Sequence, residues 1–470
     1  MILDEKRFSM RSGVTRREFL TGAAALTAAP ALGAIPASGE VEIAIVGAGA
    51  AGIAAARRVA AAGRRYALLE ATGRIGGRVR STSGKFNVPH DLGAYRLYGG
   101  ARNPVLESVR AESLRLFQPP PGRRLYVGGR EARDNEYDDF TAALRRASRA
   151  IVATGEAGQD VAAARVMPEL PTWQASVSFV LGPLLCSKDL EQVSTVDFAR
   201  AEERVEDIAC RDGLGAVLAA AARPLAVELD TAVTGIDAER GAILLQTTRG
   251  NLRARAVVLT ASTNVLASGG IAFKPALPKR VTDALVDLSL GAYDRIVFEL
   301  PGNPFEFRAD ERILFKVDAV RAAALVGRVN GSDLTYADVA GGFARELAQS
   351  GDAATRAFLS EFLTAQFGSE APGKIGNSEI VRWSAERFVL GGFSAAAPGA
   401  ASSRRLLMQP VADRLFLAGE AVHETRWGTV GGAWASGERA ADAALTYVAS
   451  APAVTAPPPP RQTKRKKRRR

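Results

Sequence analysis

The sequence predicts an α/β fold that opens on a Rossmann-like βαβ unit, and three observations predict it. "VEIAIV" (41–46) is short, apolar and β-branched, as a buried strand should be. Gly47, Gly49 and Gly52 follow directly, at G-x-G-x-x-G spacing. "AAGIAAARRVAAAG" then reads as an alanine-rich helix that stops at Gly63, and "YALLE" (66–70) as a second strand ending on Glu70. In such a unit the first glycine permits a tight turn and the second lets backbone approach a pyrophosphate. The third lets helix and strand pack closely. The helix N-terminus then faces the phosphate charge. Glu70 suits a ribose diol and repels a 2′-phosphate, which disfavours NADP. The glycine pattern alone recurs by chance, but strand, glycines, helix, strand and acid in that order specify a dinucleotide site.

The chain has 470 residues, enough for two or more domains, with ordinary apolar (47%) and charged (24%) content. Its net charge of +11 is concentrated at the ends. Eight positive charges lie in the last ten residues, "RQTKRKKRRR", and two net charges in residues 1–39. Residues 40–460 therefore carry only +1, so the folded body presents no nucleic-acid-binding face. With two cysteines and two histidines in the chain, no metal site is expected. Cys186 and Cys210 fit two free buried thiols, with a disulfide as the alternative in an oxidising compartment.

The ends read as an address and a tail. Residues 1–39 form a leader, in which "TRREFL" places Thr15, Arg16, Arg17, Phe19 and Leu20 as in a twin-arginine export signal. An alanine-rich apolar run follows, broken by Pro30 and Pro36 and too interrupted to span a bilayer. Export of a folded, cofactor-loaded protein to the periplasm or beyond is the expectation. Residues 450–470 are a stiff proline-rich spacer and a basic run, expected to be solvated, with weak contact to an anionic surface as the alternative.

Just beyond the first unit, "EATGRIGGRVRS" (70–81) adds Gly76, Gly77 and Arg78, whose guanidinium can reach a pyrophosphate held by the first loop. Here the sequence resembles the flavin-containing amine oxidase family, which includes monoamine and polyamine oxidases, flavin histone demethylases and L-amino-acid oxidases. The resemblance continues through "DLGAYR" (91–96), residues 229–262 and "RLFLAGEAVHETRWGTVGGAWASGERAA" (414–441). It implies noncovalent FAD, and two intertwined domains. The Rossmann-like FAD-binding domain would use 40–115, 205–275 and 405–449. A mixed α+β substrate domain would use 116–204 and 276–404, with helices near 136–152 and 339–366 and a hairpin at "RLYVGGRE".

The resemblance also implies the cofactor contacts. Gly47, Gly49, Ala51 and Gly52 come from the first loop and helix, Glu70 and Ala71 from the end of the second strand, and Gly77 and Arg78 from the second loop. Gly93, Ala94 and Tyr95 would pass beside the flavin, and the Val233 backbone would meet the adenine. Gly419 and Glu420 would serve the ribityl or phosphate region, with Thr429 and Val430 by the flavin pyrimidine.

Three further positions carry the expected chemistry. Phe393 matches an aromatic beside the flavin, and Gly392 stands where monoamine oxidases carry the flavin-linking cysteine. Arg295 replaces the lysine that holds a water near flavin N5, which speaks against fast reaction with oxygen and leaves room for another electron acceptor. Arg96, in a G-x-x-R pattern, matches the carboxylate clamp of amino-acid oxidases, with a structural salt bridge as the alternative. Thr429 replaces the second aromatic of a two-ring amine cage. The expected activity is oxidation of a small amine to an imine by hydride transfer to the flavin. "GGARNP" after Tyr98 leans towards the amine branch over an amino-acid enzyme. The same FAD framework also fits a desaturase, a porphyrinogen-oxidase-like enzyme or a noncatalytic flavoprotein.

Overall fold

A computed structural model describes residues 39–109, 114–238 and 242–450. The expected export signal and nearly all of the basic tail lie outside the described residues.

The apolar run at the start becomes the strand Glu40–Val46, which lies inside the first sheet, next to its edge strand. It pairs in parallel with Tyr66–Leu69 on one side and with Gly250–Leu259 on the other. Gly250–Leu259 is long enough to branch. Residues 250–254 pair antiparallel with Ile243–Thr247, while 257–259 pair in parallel with Leu415–Leu417. Val233–Asp237 and Ala272–Lys274 complete the far edge.

Successive side chains leave opposite faces of a strand, and both faces here are covered. Ile43 and Ile45 pack under the helices Ala50–Ala61 and Val430–Ser450, beside Ala55, Val59, Ala440 and Ala444. Ala44 and Val46 face the opposite core with Leu259, Leu285 and Leu417. The two covering helices touch so closely that a Cβ on Gly437 would lie 2.1 Å from the Ala51 carbonyl oxygen.

The second sheet runs in the order Ser378–Val381, Tyr293–Glu299, Leu334–Ala340, Ala324–Gly327, Glu311–Phe315, Arg124–Val127 and Arg130–Glu131. Its last two strands form the expected hairpin, turning at Gly128 and Gly129, both at positive φ. The expected helices are Asp134–Glu156 and Gly341–Phe367. The second of these covers the sheet through Phe343, Leu359, Phe362 and Leu363. One boundary differs from the sequence expectation. Helix Lys279–Asp287, expected in the substrate domain, buries Val281, Ala284 and Leu285 in the first sheet's core. Cys186 and Cys210 are free and buried, and burial pushes the Cys186 thiol up to about 12.

Candidate active site

A cavity of about 330 Å³ is lined from both sheets. At one end stands the glycine loop. Gly47 turns at φ +99° and donates its N–H to the Leu69 carbonyl at 2.7 Å. Gly49 caps helix Ala50–Ala61 without any side-chain cap, and the first helical turn holds no acid. A Cβ on Gly49 would meet nothing within 4 Å, because that direction opens onto the cavity. Glu70 is buried beside it. Its Oε1 accepts from the Thr72 N–H and hydroxyl, while Oε2 takes only the Ala48 N–H, at 2.8 Å. An acceptor position remains on Oε2 for a ribose hydroxyl. An open glycine, an uncapped helix start and a part-filled carboxylate together fit a dinucleotide. Ala51, Ala71, Gly77, Ala94 and Val233 also line this cavity. Gly52 does not: its Cβ direction is filled by the Gly47 carbonyl, so it serves packing.

Arg78 and Glu420 tie the middle of the cavity together across 342 residues. Arg78 Nη1 donates to Glu420 Oε1 at 2.8 Å and to the Gly392 carbonyl at 2.7 Å. Glu420 also accepts from the Ser394 N–H and hydroxyl and from the Gly428 N–H. Burial would raise this carboxyl, but Arg78 and the hydrogen bonds outweigh it and hold it below its ordinary value. Its acceptor capacity is thus taken up within the protein. Glu420 positions Arg78 and the Gly428 turn, and it lines the cavity where a ribityl or phosphate contact is expected from sequence. Gly419, Thr429 and Val430 line the cavity next to it.

Arg295 also departs from expectation. Its guanidinium is buried and forks onto Asp338, with Nε to Oδ1 at 2.7 Å and Nη2 to Oδ2 at 2.9 Å. Nη1 donates to the Asp91 and Gly93 carbonyls, and the guanidinium carbon lies 4.6 Å and 4.1 Å from the ring centres of Tyr95 and Tyr336. Burial opposes the charge, yet Asp338 outweighs it and raises the pKa further. With four of its five N–H groups engaged, Arg295 braces the segment 91–95. Gly93 has no room for a side chain, since a Cβ would lie 2.0 Å from the Arg78 carbonyl oxygen. No lysine lines the cavity among the described residues.

Arg96 lines the cavity but is spent on Asp207, with Nη1 to Oδ2 at 2.7 Å and the side chain only 3% exposed. A buried guanidinium with a buried carboxylate partner is a structural pair. The carboxylate-clamp reading of Arg96 is therefore corrected to the salt bridge.

The far wall is aromatic. Phe393 lies 5.6 Å from Tyr293, and Tyr98 lines the same wall. Gly392 leaves no space for a linking cysteine, because a Cβ would stand 2.6 Å from that of Tyr293. Sequence reasoning missed Tyr98, Tyr293, Trp383 and Arg204, all of which line the cavity. Trp383 lies within the stretch that leads to Phe393, and its position in a family-like segment is a usable signal. Arg204, in "AEERVED", offers none.

The model of the family described as flavin-containing amine oxidoreductase matches residues 50–165 and 148–445. The chain belongs to the flavin-containing amine oxidoreductase family. It is a flavoenzyme, and its cofactor is FAD. It is 27% identical over 441 residues to Lysine-specific histone demethylase 1 homolog 1 of Oryza sativa subsp. japonica, covering 85% of this chain and 52% of that one. It is 24% identical over 451 residues to Probable polyamine oxidase 4 of Arabidopsis thaliana, covering 86% and 87%. The chain thus spans about half the length of the demethylase homologues it matches. Among solved structures, a redesigned putrescine oxidase superposes with a TM-score of 0.74 at 16% identity, over 87% of this chain and 100% of that one. Cyclohexylamine oxidase from Brevibacterium oxydans superposes with a TM-score of 0.72 at 20% identity, over 87% and 99%. At these identities the likeness shows a shared fold.

Gly392 leads to a direct test of how the cofactor is held. Acid precipitation of the flavoenzyme is expected to leave all FAD in the supernatant, measured by absorbance. Flavin remaining in the pellet would overturn noncovalent binding.

Proposed function

We propose that this flavoenzyme oxidises the carbon–nitrogen bond of a small amine to an imine, which water then hydrolyses. The observation that carries this reading is the continuity of the cavity. One space joins the glycine cradle to the wall formed by Phe393, Tyr293 and Tyr98. FAD held by the glycine loop, Glu70 and Arg78 would supply the hydride acceptor for the carbon that bears the neutral amine. The protein's own part is orientation and exclusion of water by the aromatic wall. The amine-oxidising relatives, named for polyamines, putrescine and cyclohexylamine, support the reaction class. The lack of a lysine among the described cavity residues supports an electron acceptor other than oxygen. The test is an anaerobic screen for loss of flavin colour with amines, amino acids and polyamines. Colour that survives the whole panel would remove the amine reading.

The leader "TRREFL" supports export of the folded protein. Replacing Arg16 and Arg17 together by lysine should retain the protein in the cytoplasm on cell fractionation. Unchanged distribution would dismiss the signal.

A further inference from the structure

Two cavity arginines lack a carboxylate partner: Arg74, which bonds the Ile75 and Gly77 carbonyls beside the glycine loop, and Arg204 on the aromatic wall. Arg78, Arg96 and Arg295 each have a carboxylate partner: Glu420, Asp207 and Asp338. No carboxylate among the described residues pairs with Arg204. Its protein bonds go only to carbonyls, Nη1 to Leu185 at 2.9 Å and Nη2 to Trp427 at 3.3 Å. The guanidinium lies over Phe393, Tyr98 and Trp427, with its carbon 5.4–5.9 Å from each ring centre. It also borders the Gly428 turn, where a Cβ would come within 3.0 Å of Nη2. Phe393, Tyr98, Gly428 and Arg204 all line the cavity.

The loop that carries it is pinned on both sides. Glu202 bonds Thr425 and Arg426. The Gly99 and Gly100 N–H groups donate to the Val205 and Glu206 carbonyls, and Asp207 holds Arg96. The acids nearest in sequence are thereby turned elsewhere, with Glu206 facing Arg102 and Glu203 exposed. The Arg96–Asp207 pair thus anchors the loop that presents Arg204. At the other end of the cavity Glu70 is tied to Thr72, and Glu386 stands 3.7 Å from Arg80. Among the described residues, no acid is left on the Phe393 wall to receive the second ammonium of a diamine.

We infer that Arg204 recognises a carboxylate on the substrate, so that the amine oxidised here is an amino acid. This rests on the amine reading above. A guanidinium fork matches a carboxylate in two parallel bonds, and a dication such as putrescine meets an unpaired positive charge.

The test compares each amino acid with its own decarboxylated amine, phenylalanine with phenethylamine and lysine with cadaverine, by anaerobic flavin bleaching. Benzoate, a carboxylate without an amine, is titrated separately through its perturbation of the flavin absorption band. The wild-type protein should prefer each amino acid. Arg204→Met should lower the amino-acid-to-amine preference by about 30-fold or more and weaken benzoate to the same degree. Arg204→Lys, which keeps the charge without the fork, should fall between them. A preference for amines in the wild type, or unchanged preference and benzoate affinity in Arg204→Met with FAD content intact, would overturn the proposal. If no amine or amino acid bleaches the flavin, the amine reading fails alone, and the benzoate titration still decides for or against Arg204. If Arg204→Met loses FAD, the comparison moves to Arg204→Lys, where benzoate binding equal to wild type would count against the fork.

Discussion

Gly52→Val is expected to give colourless protein that cannot be reconstituted with FAD. A Cβ at Gly52 would lie 1.8 Å from the Gly47 carbonyl oxygen and 2.9 Å from its carbon. The obstacle is backbone, which cannot rotate away as a side-chain tip could. Overpacking of this kind costs about 3 kcal/mol or more. The movement that relieves it displaces the loop that meets the cofactor. Gly49→Ala makes the informative contrast. Its Cβ meets nothing in the protein, so the cofactor-free fold should lose no more than about 1 kcal/mol, while FAD affinity falls because the methyl enters the cavity. Denaturant midpoints of both apoproteins, with FAD titrations, separate the two roles. A Gly52→Val protein with wild-type FAD content would refute the packing assignment.

Asp338→Ala should destabilise the protein by about 3–5 kcal/mol, because it strands the Arg295 guanidinium in the interior. Arg295→Met should cost a similar amount by stranding the carboxylate. Combining Arg295→Met with Asp338→Ala should cost far less than the sum, since neither charge is then left stranded in the interior. Urea unfolding of the four proteins gives the coupling. Additive losses would mean that the two side chains do not depend on each other, and Arg295 would again be open to a direct part in the chemistry.

The residues legible in the sequence are those whose work is local. Gly47, Gly49, Gly52 and Glu70 shape one turn, one helix start and one strand end, and their spacing records all three. The matching of Arg295 to Asp338 depends on the register of two paired strands that lie apart along the chain, with two other strands between them in sequence, which spacing does not record. A G-x-x-R pattern reports that Arg96 exists, and only the fold reports that Asp207 faces it. Arg204 sits in a run dominated by acids, which reads as a solvated loop until its neighbours are seen to turn outward. The helix Lys279–Asp287 escapes its proper unit for a related reason. Its apolar face is plain in the sequence, but the core that receives it is shared with Leu417, far downstream.

The branching of Gly250–Leu259 has a consequence for how the protein is made. Strand Glu40–Val46 leaves the ribosome early, yet one of its partners lies some two hundred residues later, and the helix packed on Ala50–Ala61 is the last element described. At about 5–20 residues per second, roughly 20–80 s separate the synthesis of the glycine loop from that of the helix that covers it. For that interval the nascent chain carries an alanine-faced helix without its cover and strand edges without neighbours. Chaperone demand during translation should therefore be high.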